Sequence, residues 1–373
     1  MTRAASLLAS LAVVLGLVLA SGAETGSAIH WSSFLELQQP RALASAVALP
    51  TGEILVVGGL DRDDPDVTNP KTELLDPVLH HATVLPQTIL ARLHQTITLS
   101  GDDTVVVAGG VTWEKTHWSP VDRVDYYDVA RRRWLKGPTL NVARSDAAAV
   151  ALKDGRVVVF GGNYDTKLLA SVEIYDPRRA EWMLAQPMPR PRTQHTAVML
   201  RDGKVMIVGG IDSDGGPTDS TFIYDPARND WQYGPRMTQP RFQQATAPLR
   251  NGDILFVGGD GAAAPTSELY LARENRFVRS GDLAVPRLVA QAAALPDGRV
   301  VVSGGLPPRM TTYSPLGSVE VWDPATGAWT ESTPLSEGRA WGVLLRVGPA
   351  LYLLGGNGSN DTAFRTVERL SIE

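Results

Sequence analysis

The chain has 373 residues, a formal net charge of −5 and a sequence pI near 5.7, and it contains no cysteine. This charge balance offers no basic stripe for nucleic acid, so we expect no nucleic-acid partner. The lack of cysteine excludes disulfides, a lipobox and thiol chemistry.

Residues 1–23 have the order of a secretory signal peptide. Arg3 supplies a positive charge, residues 7–20 are apolar apart from Ser10, and Ser21-Gly22-Ala23 offers small residues for cleavage. This apolar stretch is shorter than the roughly 20 residues that a membrane-spanning helix needs. We therefore expect cleavage near Ala23, a secreted or periplasmic protein, and no membrane span after cleavage.

Glycine pairs divide the rest of the chain into intervals of about fifty residues, a period typical of repeat architectures with one supersecondary unit per period. The pairs begin at Gly58, Gly109, Gly161, Gly209, Gly258, Gly304 and Gly355.

Each period predicts four short antiparallel strands. An arginine precedes a small or apolar run, and a two-residue turn such as Asp154-Gly155, interpreted as type I′, leads into a second strand. That second strand, for example residues 157–160, is continuously apolar, which indicates burial on both faces. A third strand ends in an aspartate, as at Asp176, and an aromatic residue such as Trp182 opens the fourth. Four such strands form one propeller blade.

The two ends of the repeat region predict how the ring closes. The last repeat stops in its third strand at Glu373, whereas Trp31 precedes Arg41 by the same ten residues that separate Trp182 from Arg192. We therefore expect residues 29–38 to complete the last blade, so that residues 29–373 form one all-β, seven-bladed propeller without exposed sheet edges. A monomer is expected.

The repeat resembles the kelch motif. The resemblance rests on the glycine pairs, on Tyr175-Asp176-Pro177 and on Trp182, and it extends over all seven copies. Kelch propellers include peptide-binding adaptor domains, the catalytic domain of galactose oxidase and a periplasmic sialic acid mutarotase. The resemblance therefore implies a fold and leaves the function open.

The recurring arginines are interpreted as structural. An acidic residue recurs on the third strand in six copies, and opposite charges that repeat together indicate one ion pair per blade. The fourth copy carries Phe222 in the acidic position. Arg192 or Arg241 is therefore expected to lack a partner and to be the arginine available to a ligand.

Function is sought where the repeats differ. Residues two positions past the arginines should surround the axial opening of the disc. The residues on blades two to five are polar, and those on blades one, six and seven are apolar. In chain order the seven residues are Leu43, His94, Asp146, Gln194, Gln243, Val289 and Trp341. His195 directly follows Gln194, and Gln244 directly follows Gln243. Such an opening suits a sugar or a peptide loop, although solvated loop residues would give the same pattern.

The loops after the glycine pairs hold two further candidates. Blade two carries Trp113 and Trp118, and aromatic residues on a variable loop often contact a partner. Residues 61–66 space carboxylates as a calcium loop does, but they lack the glycine and the distal glutamate of an EF-hand. No metal site is predicted.

The enzyme hypotheses are weaker than a binding function. The cysteine-crosslinked tyrosine of galactose oxidase has no counterpart here, and neither the histidines nor any nucleotide or hydrolase motif indicates a cofactor. We predict a binding module for a glycan or a protein partner. The alternative is a carbohydrate-active enzyme of mutarotase type, in which His94, Asp146 or His195 would move protons. The resemblance to that family is incomplete, because its propellers have six blades rather than seven.

Overall fold

A computed structural model describes residues 29–60, 69–87, 89–114, 117–259, 266–308, 312–359 and 362–372. Within these ranges the chain forms seven four-stranded antiparallel sheets, arranged as the blades of a propeller. The predicted fold class is therefore confirmed. The predicted signal peptide, residues 1–23, and the acidic loop, residues 61–66, lie outside the described residues.

Each repeat supplies the strands of one blade, and the seventh blade also contains the N-terminal strand β1 (Ile29–Glu36). Blade one consists of β2 (Ser45–Ala48), β3 (Ile54–Val57), β4 (Glu73–Asp76) and β5 (His81–Val84). Blade two consists of β6 (Thr96–Leu99), β7 (Thr104–Ala108), β10 (Val124–Asp128) and β11 (Arg133–Lys136), with a hairpin of β8 (Val111–Glu114) and β9 (His117–Pro120) between its second and third strands. Blade three consists of β12 (Ala148–Ala151), β13 (Val157–Phe160), β16 (Val172–Asp176) and β17 (Glu181–Ala185), with a hairpin of β14 (Asn163–Tyr164) and β15 (Lys167–Leu168).

The remaining blades follow the same order. Blade four consists of β19 (Thr196–Met199), β20 (Val205–Val208), β22 (Thr221–Asp225) and β23 (Asp230–Tyr233), with the short pair β18 (Arg192–Thr193) and β21 (Ile211–Asp212). Blade five consists of β24 (Ala245–Pro248), β25 (Ile254–Val257), β26 (Thr266–Leu271) and β27 (Arg276–Asp282). Blade six consists of β28 (Gln291–Ala294), β29 (Val300–Ser303), β30 (Val319–Trp322) and β31 (Trp329–Ser332). Blade seven consists of β32 (Val343–Val347), β33 (Ala350–Leu354), β34 (Thr366–Ile372) and β1.

The hydrophobic core is divided among the interfaces between blades. In the described residues, each pair of neighbouring blades shares one apolar cluster, and the cluster between blades three and four contains Phe160, Ile207 and Phe222. The second strand of a blade faces both neighbours, which explains why β13 is buried along its whole length.

The first and last blades meet in the same way as the others. Strand β1 lies outermost in the seventh sheet, antiparallel to β34, with Trp31 opposite Leu370. Strand β2 packs against β32, and the backbone N–H of Gly356 donates to the carbonyl of Arg41 over 2.8 Å.

The hairpin turns between first and second strands differ from the predicted type I′. A type I′ turn requires a positive φ at both of its central residues. Here Gly155 has φ 92°, but Asp154 is not in the left-handed region. Gly155 N–H donates to Leu152 O, and Leu152 N–H donates to Arg156 O. These bonds define a three-residue loop with a glycine bulge, because the single glycine supplies only one left-handed residue.

The glycine pairs lie where one blade touches the next. Gly161 has φ 56°, and a Cβ there would lie 2.6 Å from the carbonyl oxygen of Arg192 in the following blade. Gly162 N–H donates to that same oxygen over 2.9 Å. Only glycine fits this close approach between blades.

The arginines are structural, as predicted. Six of them pair with the acidic residue of their own blade over 2.5 to 2.8 Å, and both groups are buried: Arg41 with Glu73, Arg92 with Asp125, Arg144 with Glu173, Arg241 with Glu268, Arg287 with Glu320, and Arg339 with Glu368.

Arg192 is the exception, and its predicted availability to a ligand is wrong. Its side chain is fully buried, its guanidinium lies 4.2 Å from the centre of the Phe222 ring, and it donates to Gly209 O and to Ser220. Burial, partly opposed by Asp212 and reinforced by Arg190, lowers its pKa to about 10. The ring replaces the carboxylate, so the arginine remains inside the blade.

Candidate functional site

Seven residues, one per blade, form a ring around the axial opening; they are Leu43, His94, Asp146, Gln194, Gln243, Val289 and Trp341. All have φ between 48° and 56°, which is strained for residues with a side chain. In this conformation Asp146 N–H donates to His94 O over 3.1 Å, and Gln194 N–H donates to Asp146 O over 3.2 Å. Because every blade shares the strain, it belongs to the architecture, and only the side chains distinguish the blades.

The ring surrounds an axial pocket of about 350 Å³. The structure brings the polar residues of blades two to five together along one side of this pocket. The apolar ring residues Leu43, Val289 and Trp341 line the other side. The Trp341 ring lies parallel to Tyr313, with centroids 6.1 Å apart, so an aromatic residue of blade six holds it in place.

His94 and Asp146 form an ion pair on the ring. His94 Nδ1 lies 2.8 Å from Asp146 Oδ1, and the two side chains are 38% and 20% exposed. Burial disfavours the imidazolium, but the hydrogen bond and the charge of Asp146 outweigh it, so the pKa of His94 is raised above its usual value. A histidine paired with a carboxylate in this way can take up or release a proton.

His195 lies beneath the ring and is a different kind of histidine. It lines the pocket but is only 7% exposed. Burial and then the positive charge of Arg192 lower its pKa to about 3, an effect that the Phe160 carbonyl only partly offsets. Its imidazole is therefore neutral at physiological pH, which makes it a hydrogen-bonding group rather than a general acid.

Two glutamines also line the pocket: Gln244, which the sequence analysis noted, and Gln95, which it did not select. Gln95 and Gln244 directly follow ring residues, each is 8% exposed, and they occupy the position of His195 in blades two and five. The sequence signal that indicates both is their position in the repeat: like His195, each lies three residues after the arginine of its blade, one residue beyond the ring. Gln244 Nε2 donates to Thr196 Oγ1 and to Val208 O.

The tryptophans of blade two lie on the β8–β9 hairpin. Trp113 and Trp118 are directly opposite each other, with ring centroids 5.2 Å apart and an interplanar angle of 66°. A second cavity of about 430 Å³ joins this hairpin to the ring, because Trp118 and Pro120 line it together with His94 and Asp146. The ring and the hairpin therefore form one continuous surface rather than two competing sites.

The described residues contain no group of three histidine, cysteine, aspartate or glutamate side chains that could hold a metal ion. The donors at the ring, the His94–Asp146 pair and the largely buried His195, do not form the ligand set of a copper centre.

We find no helix, within the part of the chain that the structure describes, that has the length and apolar character to span a bilayer.

Comparisons with known proteins agree with the propeller fold. The model of the KLHDC2/KLHL20/DRC7 Kelch-repeats domain matches residues 93–275. The kelch-like protein terF of Aspergillus terreus is 29% identical over 139 residues, which is 35% of this chain and 30% of that protein. Together with the seven four-stranded blades, these matches support a kelch-repeat propeller.

Solved structures show the same fold. A fungal alcohol oxidase of the AA5 family, in complex with copper, superposes with a TM-score of 0.73 and 19% identity, over 92% of this chain and 76% of that one. At this identity the likeness concerns the fold alone.

Proposed function

We propose that this kelch propeller is a secreted or periplasmic binding module that recognises a carbohydrate, or a loop of a protein partner, at its axial face. The observation that carries the proposal is the continuous surface formed by the axial pocket and the Trp118 cavity. The apolar segment within residues 1–23 supports the location.

As a ligand for the axial pocket, a carbohydrate fits better than a flat surface of a partner protein. The pocket has a hydrogen-bonding side formed by His94, Asp146 and Gln194, and an apolar side that includes Trp341. A sugar ring presents hydroxyls at its edge and C–H groups on its faces, so it matches both sides. A volume of about 350 Å³ lies within the range of about 300–1,000 Å³ typical of small-molecule sites.

A screen of soluble glycans and sugars by thermal shift, followed by calorimetry, tests this proposal. We expect His94→Ala and Asp146→Ala to abolish binding with little change in melting temperature, because both side chains are partly exposed. Leu184→Ala, at a 62% exposed position on an outer strand, serves as the matched control. If only Trp118→Ala affects binding, the hairpin alone is the site and a protein partner is favoured.

A second candidate function is sugar mutarotation, and the His94–Asp146 pair is the observation that favours it. Ring opening of a hemiacetal needs one group to give a proton and another to accept one near the anomeric carbon. His94, whose pKa is raised, and the Asp146 carboxylate lie 2.8 Å apart and could do both. NMR measurement of anomer interconversion with wild-type and His94→Gln protein decides this, since a binding module leaves the rate unchanged.

A further inference from the structure

We infer that the axial pocket has an inner polar layer, formed by Gln95, His195 and Gln244, that binds a neutral, hydroxyl-rich ligand. This inference rests on the proposed binding function of the axial face and specifies its ligand class.

The layer lies one residue beyond the ring and is polar in only three blades. Blades two, four and five carry Gln95, His195 and Gln244, and all three line the pocket. The other blades carry Ala44, Ala147, Ala290 and Gly342 at this position. Their small side chains leave the axis open beside the polar ones, so a ligand can reach this depth.

The polar atoms of this layer are buried without sufficient partners. Neither Gln95 Nε2, Gln95 Oε1 nor Gln244 Oε1 has a hydrogen-bond partner among the described residues, and the same holds for Gln194 Oε1 on the ring above. The His195 nitrogens make no hydrogen bond of normal geometry, although the Phe160 carbonyl is near enough to favour the charged form slightly. Buried polar groups are nearly always satisfied, so unsatisfied ones that line a pocket indicate a ligand that pairs with them.

The charges around the pocket indicate a neutral ligand. The lining contains no lysine or arginine to pair with an anion, and its carboxylate, Asp146, is already paired with His94. His195 stays neutral because it is buried beside Arg192. Burying a charged group without a partner is costly, so the pocket discriminates against ions.

Hydroxyl groups fit the unpaired atoms of the layer. Amide oxygens need donors, an amide nitrogen needs an acceptor, and a neutral imidazole offers one of each; a hydroxyl both donates and accepts. The pocket volume of about 350 Å³ exceeds by roughly tenfold the 30 Å³ that one water occupies, so the pocket above and within the layer can accommodate a monosaccharide-sized polyol.

Calorimetry with D-glucose, D-galactose and myo-inositol tests the inference, with D-glucuronate as the anionic counterpart of glucose. At least one neutral probe should bind the full-length protein, and glucuronate should bind at least about tenfold more weakly than glucose. Gln95→Met keeps the length of the side chain but removes its polar atoms, and should abolish binding. Its melting temperature should be unchanged or higher, because it removes unpaired buried groups. Gln95→Ala, which removes the same polar atoms and also enlarges the pocket, is the second variant and should likewise lose binding.

Thr98→Val is the matched control. Thr98 lies further along the same stretch of blade two, its hydroxyl is also buried without a partner among the described residues, and it does not line the axial pocket. The control should bind like wild type.

Three outcomes overturn the inference: unchanged affinity in both Gln95 variants, equal affinity for glucuronate and glucose, or no binding of any neutral probe. Loss of binding in Gln95→Met with normal binding in His94→Ala and Asp146→Ala overturns only the proposed role of the ring.

Discussion

Two of the acidic side chains of blade three that pair with basic groups, Glu173 and Asp146, lie in completely different surroundings. Glu173 is fully buried, where it accepts hydrogen bonds from Arg144 and from the backbone of Asn141 and Val142. Asp146, two residues past Arg144, is partly exposed on the ring and pairs with His94 of the neighbouring blade. The first arrangement recurs in six blades, whereas the second depends on residues found in one blade each. A buried pair that recurs in most blades therefore indicates a structural role, and a partly exposed pair that occurs once indicates the candidate site.

The largest expected effect comes from breaking a buried pair. Arg144→Met should lower the free energy of unfolding by about 3–5 kcal/mol, because it leaves the Glu173 carboxylate buried without its cation. Chemical denaturation measures the change. Arg179→Met in the same blade, where Arg179 is 66% exposed beside Asp176, is the control and should cost less than about 1 kcal/mol. Similar losses in both variants would contradict the structural interpretation of the arginines.

A smaller effect is expected at the blade that lacks the carboxylate. Arg192→Met should cost clearly less than Arg144→Met, since it leaves no charge unpaired and removes a cation whose burial already lowers its pKa to about 10. The lost hydrogen bonds to Gly209 O and Ser220 should account for most of the change, about 1–2 kcal/mol. An Arg192 variant as unstable as the Arg144 variant would show that the Phe222 ring does not replace the acid.

The two histidines of the pocket should give pH dependences of opposite sign. His195 has a pKa near 3 when folded and about 6.5 when unfolded, so the unfolded chain binds the extra proton and stability falls as pH falls through this window. Melting temperatures from pH 7 to 4 should therefore decline less for His195→Gln than for wild type. His81→Gln, at an exposed position, is the control. For His94 the raised folded pKa contributes stability at low pH that is lost as pH rises through that pKa.

The smallest expected effect concerns the ring pair. Asp146→Asn removes the charge that raises the pKa of His94, so this pKa should fall while the free energy of unfolding changes by less than about 1 kcal/mol. An NMR titration of the His94 imidazole measures the shift, and thermal denaturation measures the stability. A His94 pKa that does not move would show that the pair contributes nothing to its protonation.

The sequence by itself determined the blade count and the structural arginines, because these features repeat. A glycine pair such as Gly161-Gly162 fits only where two blades approach closely, and a continuous apolar strand such as β13 fits only between two neighbours. The position of Phe222 also indicated from the sequence that either Arg192 or Arg241 lacks an acid. That it is Arg192, buried against the Phe222 ring, did not follow.

Tertiary structure decided what lies at the axis. The contact of His94 with Asp146 joins residues of different blades, and no sequence spacing encodes the distance between their side chains. Likewise, only packing distinguishes the exposed His94 from the buried His195, although both lie just past a blade arginine. The sequence placed the ring residues on one face through hairpin geometry. The unpaired atoms of Gln95 and the cavity shared by Trp118 and the ring arise only when neighbouring blades assemble, because each depends on groups brought together by ring closure.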